Sequence, residues 1–132
     1  FGPVTANSIP HCAGTNLSGD YTASQDVSLI TPAIQIPASG ATLTYRQWLD
    51  TEGDGDAGAI RILDAGNDNR LLEELVGNIE WNDTAWDNPP PVTLPNSASG
   101  KLIRLEFRFV SNDSNPESFA GFYLDDIILQ SN

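Results

Sequence analysis

Between positions 50 and 58 the chain reads DTEGDGDAG, which gathers Asp50, Glu52, Asp54 and Asp56 into seven residues and separates the last three with Gly53 and Gly55. Glycine lets a backbone curl through conformations that other residues avoid, so the four carboxylates converge on a point and repel one another. A hard divalent cation with oxygen ligands relieves that repulsion, which is the chemistry of Ca2+. The alternative is an acidic turn whose charges are solvated. The spacing imitates the start of an EF-hand loop, but the twelfth position, where that loop needs a bidentate Glu, is Arg61. Its flanks, TLTYRQWL and AIRIL, alternate like strands. The segment is predicted to be a calcium loop between two strands.

A second acidic pair, Asp125 and Asp126, interrupts the apolar run GFYLDDI at 121–127. Successive strand residues face opposite ways, so one of the two must point inward or lie at a sheet end, where a lone carboxylate is costly. Either a metal or a strand-end hydrogen bond or ion pair, with Arg104 or Arg108, must answer it. Asp20 is open to the same two readings, a contribution to the metal site or a local Asx turn. Trp81 and Trp86, in EWNDTAWDNPPP, suit another chemistry. A flat ring in an exposed loop can stack on a sugar, while Asn82 and Asp87 hydrogen-bond its hydroxyls; the competing reading is that these rings pack on a sandwich edge. Trp48 reads as core. His11 and Cys12 are neighbours, and neighbours on a strand diverge; with one histidine in the chain and no nucleophile elbow, no nucleophilic catalysis is proposed.

The elements that must position these residues read as strands. KLIRLEFRFV sets Ile103, Leu105, Phe107 and Phe109 against Arg104, Glu106 and Arg108, one face for a core and one for charge pairing. TLTYRQWL opposes Leu43, Tyr45 and Leu49 to Thr44, Arg46 and Trp48. Further strands are predicted over 29–36, 59–63 and 70–76, with GFYLDDIILQ central. The stretch 81–100 contains three consecutive prolines and is predicted to be a long irregular connection. About eight short strands without helical periodicity predict an all-β fold, a two-sheet antiparallel β-sandwich of jelly-roll type.

The chain has 132 residues, enough for one domain with a proper core, expected to span 1–132. Eighteen acids against six bases give a net charge of −12, which repels phosphate backbones and anionic membrane surfaces and excludes nucleic acid as a natural partner. No run is long and apolar enough for membrane insertion, and there is no basic-then-apolar signal peptide. A start at Phe1 and the lack of Met suggest a mature or excised piece of a longer precursor. One cysteine rules out an internal disulfide and a multi-thiolate zinc site.

The segments HCAGTNLSGDY (11–21), SLITPAIQIP (28–37), LTYRQWLDTEGDGDAG (43–58), LEFRFVSNDS (105–114) and GFYLDDI (121–127) resemble, in content and order, the jelly-roll accessory domains related to MAM domains. These are appended to secreted bacterial peptidases of the immune-inhibitor-A and bacillopeptidase-F kind and look like the cleaved-adhesin modules of gingipains. Two positions depart from the family's habit: Arg46 where a second aromatic is common, and Phe122 where Trp is common. The resemblance covers nearly the whole chain. It implies calcium held by loop acids and an acid of the last strand, here Asp50, Glu52 and Asp56 with Asp125 or Asp126. The chain is read as a non-catalytic, secreted or cell-surface module beside a hydrolase, and is expected to be monomeric as an isolated domain. Its expected partner is a polysaccharide or surface glycan, or alternatively a protein.

Overall fold

The computed structural model describes residues 2–53, 55–80, 82–112 and 119–132, the side chains of 82–84 excepted. In chain order its strands are β1 (Ala13–Gly14), β2 (Asp26–Ile30), β3 (Ile34–Gln35), β4 (Ala41–Asp50), β5 (Ala57–Asp64), β6 (Arg70–Ile79), β7 (Asn82–Asp87), β8 (Val92–Thr93), β9 (Leu102–Val110) and β10 (Gly121–Ser131). They form two antiparallel sheets. The first runs β1-β10-β4-β7, with β8 also on β4; the second runs β2-β9-β5-β6, with β3 also on β9. The predicted two-sheet sandwich is the observed architecture.

Period-two alternation decides what lies between the sheets. Leu43, Tyr45 and Leu49 of β4, with Phe122 and Leu124 of β10, face Ile60 and Ile62 of β5 and Ile103, Leu105, Phe107 and Phe109 of β9 in one buried cluster. The outer face of the second sheet carries charge: Arg61 pairs with Glu106 at 2.7 Å, directly opposite it in the ladder, and Arg108 with Asp26 at 2.7 Å. The outer face of the first sheet is not left to solvent. Trp48, Ala120 and Tyr123 form a second buried cluster there, with Cys12 and Trp86 packed against it, and Trp48 meets Tyr123 edge-on at 5.5 Å. The N-terminal segment covers this cluster as a strap. Tyr123 donates its hydroxyl hydrogen to the Asn16 carbonyl at 2.7 Å, and Gly14 lies against the Tyr123 ring so closely that any Cβ would run into it.

Two expected elements differ from those observed. The strand expected over 29–36 is divided into β2 and β3, because Pro32 has no N–H for the ladder and the chain steps off at Thr31, whose hydroxyl accepts the Leu105 N–H at 3.0 Å. The region 81–100, expected to be irregular, holds β7, β8 and a 3₁₀ turn at Asn96–Ala98. Pro89–Pro91 interrupt the strands only at 88–91 and Pro95 stands at the entry to the 3₁₀ turn, while the proline-free NDTAWD pairs with β4 at the sheet edge. The expected strand over 70–76 is β6. It returns from β5 through a turn in which Asp68 and Asn69 take φ of 52° and 54°, a conformation these short polar residues tolerate.

Candidate functional site

The acidic loop leaves β4 at Asp50 and enters β5 at Ala57, at one end of the sandwich. Gly53 and Gly55, at φ of 83° and 95°, supply the left-handed turns that fold it inward. At its end Asp56 is completely buried. Oδ2 accepts the Tyr21 hydroxyl at 2.8 Å and Oδ1 accepts the Asn112 N–H at 2.7 Å. The same Tyr21 oxygen accepts the Glu52 N–H at 3.1 Å, so one phenol ties both limbs of the loop, and its ring is fixed edge-on against Phe109 at 4.9 Å. Asp50 Oδ2 accepts the Ala120 N–H at 3.1 Å. Beside it Gly121 takes φ of 103°, where a Cβ would overlap the Thr15 hydroxyl. Three loop acids and the segments around Tyr21, Asn112 and Ala120 therefore meet at this end.

The metal set inferred from sequence is only partly brought together. Asp50, Glu52 and Asp56 share the loop; Asp54 lies outside the described residues. Asp125 and Asp126 are elsewhere: β10 aligns Gly121 with Asp50 but Asp125 with Arg46, four residues along, or roughly 13 Å at strand rise. The ladder breaks at a bulge between Asp125 and Ile128, where Asp126 takes φ of 47°. The bulge resolves the problem of two adjacent acids in an apolar strand without Arg104 or Arg108. Asp125 Oδ2 accepts the Ser8 N–H at 2.8 Å, while Asp126 Oδ2 accepts Asn7 Nδ2 at 2.7 Å and the Ser8 hydroxyl at 2.8 Å. The hydrogen bonds from Ser8 and Asn7 hold the Asp126 carboxyl below its ordinary value. These acids fasten the strap. Arg104 instead bonds Asn69 and the Thr31 carbonyl.

Among the described residues no three His, Cys, Asp or Glu side chains stand close enough to form a metal cluster by themselves. The loop end nevertheless offers oxygen ligands, among them a buried carboxylate with which no Lys or Arg among the described residues forms an ion pair. A cation there would take Asp50, Glu52 and Asp56 together with main-chain carbonyls, as hard cations do. Asp20 supplies only its main-chain carbonyl to a local bond, from Asn16 Nδ2 at 2.9 Å; the Asx turn is made by Asn16, whose Oδ1 accepts the Ser18 N–H at 3.0 Å.

The residues expected to bind sugar are divided by the alternation of β7. Trp86 points to the outer face, half-buried, and donates Nε1–H to the Thr5 carbonyl at 2.9 Å, so it anchors the strap. Asp87 points the other way, into a cavity of about 310 Å³ between β4, β7 and β6. Asn82 lies on β7 opposite Asp50 in the ladder, and Trp81 lies outside the described residues. Gln47, on the core-facing side of β4, also lines this cavity and was missed from sequence, although a polar residue on the apolar face of TLTYRQWL is a legible signal. Burial, then Asp125, pushes the Cys12 thiol up, which keeps it protonated.

No protein-family model matches the chain. Over 129 residues, 97% of its length, it is 32% identical to Bacillopeptidase F of Bacillus subtilis (strain 168). The chain spans only 8% of that relative's length. Among solved structures, the K1 cleaved adhesin domain of Lys-gingipain from Porphyromonas gingivalis W83 superposes with a TM-score of 0.60 at 20% identity, over 90% of this chain and 71% of that one. The K3 cleaved adhesin domain of the same protein gives 0.56 at 18% identity, over 92% and 71%. This chain has the cleaved-adhesin fold. The sequence match to part of a peptidase and the structural match to adhesin domains thus each cover nine-tenths or more of the chain.

Proposed function

We propose that this sandwich is a non-catalytic accessory module of a larger secreted peptidase, holding its parent protein to a surface, with Ca2+ bracing the acid-loop end. The observation that carries the reading is that nearly the whole chain aligns with only 8% of a peptidase, which is the footprint of an appended module. Calcium, held by Asp50, Glu52 and Asp56, with Asp54 as a further ligand expected from the sequence alone, supplies charge neutralisation at a buried carboxylate and nothing else. The ligand of this reading is a polysaccharide or surface glycan, met at β7 by Asp87, with Trp81 and Asn82 as further contacts expected from the sequence alone and Trp86 anchored in the strap.

One observation favours the second reading, a protein-interaction module. Trp86 is committed to the strap through Thr5 and Trp48 rather than presented as a free platform. The two readings separate on a panel of soluble and insoluble polysaccharides, measured in calcium and in chelator. Trp81→Ala/Asp87→Ala serves as the control, since it leaves Trp86 and its bond to Thr5 in place. Selective retention, reduced at least about tenfold in the double variant, supports the glycan. Failure of the folded protein to bind any glycan supports the protein partner.

A further inference from the structure

The cavity that Asp87 lines has one buried acceptor that the fold does not satisfy: Gln47 Oε1, shielded from solvent and without a hydrogen-bond donor among the described residues. Buried polar atoms in native proteins are normally paired, so an orphan acceptor just behind a cavity wall marks a place for a donor from outside, which a turn of the Gln47 amide into the cavity would meet. The rest of the lining is of one kind. Glu80 and Asp87 bring two carboxylates, no Lys or Arg among the described residues lines the space, and Leu49, Val76 and Ile79 give it apolar walls. Tyr45 adds a phenol that burial, and then Asp87, push up to about 12, so it stays neutral.

From this geometry we infer that the cavity between β4, β7 and β6 receives a basic side chain, arginine or lysine, from a partner protein. An aliphatic stem fits between Leu49, Val76 and Ile79 while its cationic head donates to Gln47 Oε1 and to the carboxylates of Glu80 and Asp87. A cation is what such an acceptor set takes, and the net charge of −12 steers positive partners toward it. A volume of about 310 Å³ is at the small end for ligand pockets and matches one side chain rather than an oligosaccharide. The Tyr45 ring is 3% exposed and packed edge-on against Phe107 at 6.3 Å, so it offers no face on which a sugar could stack. The inference uses the protein-interaction reading only for the class of partner.

The test is titration of the isotopically labelled 132-residue chain with N-acetyl-arginine methylamide, with the lysine analogue and with methyl glucoside, followed by amide shifts. The expected result is millimolar binding of a basic probe, with shifts confined to the Gln47 side-chain amide and to residues 76–80 and 85–87. Binding should weaken at least about fivefold in Asp87→Asn and in Glu80→Gln and fall with added salt. Both carboxylates sit at the cavity mouth, so the variants keep the wild-type spectrum elsewhere. Shifts scattered over the acidic surface, equal binding by both variants, no binding at tens of millimolar, or methyl glucoside alone moving these amides would each overturn the inference. If the basic probes fail while the chain still captures a protein partner, the cavity assignment falls and the protein-interaction reading stands.

Discussion

Asp56 and Asp126 are both aspartates in acidic, strand-flanking motifs, and the fold uses them in opposite ways. Asp56 is fully buried at the end of a two-glycine loop, with the Tyr21 hydroxyl and the Asn112 N–H on its two oxygens. Asp126 sits at a bulge on the outer face and bonds Asn7 and Ser8 of the strap, groups that water can also serve. Hydrogen bonds in a low-dielectric interior leave a large penalty behind when one partner is removed, whereas exposed ones are exchanged for water at little cost. The loop end should therefore govern global stability and the bulge only the local attachment of the strap.

The sharpest way to break that contrast is Asp56→Ala, which removes the acceptor of the buried Tyr21 hydroxyl and of the half-buried Asn112 N–H and opens a void; it should cost about 3 kcal/mol in denaturant unfolding. Next, Gly121→Ala places a Cβ at φ of 103° against the Thr15 hydroxyl, beside the Asp50 anchor, and should lose about 2 kcal/mol in the same assay. Tyr21→Phe keeps the ring against Phe109 but removes one donor from Asp56 and one acceptor from Glu52, for a loss of about 1–2 kcal/mol. Asp126→Asn should leave the unfolding midpoint unchanged and speed amide exchange only in the strap.

The pH dependence follows the same division. The Asp126 carboxyl lies below its ordinary 3.8 when folded because Ser8 and Asn7 bond its charged form. Its contribution to strap attachment is therefore complete above pH 3.8 and is lost as pH falls through the lower folded value. Strap amide exchange in wild-type protein should rise in that acid window, and Asp126→Asn should show no such step. A step of equal size in the variant would place the acid-sensitive group elsewhere.

Most of the sandwich could be read from its strand patterns: β9 and the first part of β4 write their core residues at every second position, while β10, buried on both faces over Gly121–Leu124, reads as a continuous apolar run. The 81–100 segment was misread because proline was given reach beyond its own neighbourhood: Pro89–Pro91 interrupt the chain locally, and the residues on either side still pair with β4. Sequence alone drew Asp125 and Asp126 to the loop acids, since nothing in GFYLDDI announces a bulge or fixes its register against β4. The strap was likewise invisible, being held by Thr5, Asn7 and Ser8 across more than a hundred positions in the case of the two aspartates. Gln47 could have been found, because its parity places it with Tyr45 and Leu49.

The most direct measurement is thermal unfolding of the wild-type chain, Asp56→Asn and Asp126→Asn, each in calcium and in chelator. A cation bound only to the folded state, at a hundredfold excess over its dissociation constant, stabilises by about 2.7 kcal/mol, or roughly 10 °C for a domain of this size. If calcium braces the acid-loop end, that shift appears in wild type and in Asp126→Asn and collapses in Asp56→Asn. An unfolding temperature that is the same in calcium and in chelator for wild-type protein would contradict the brace.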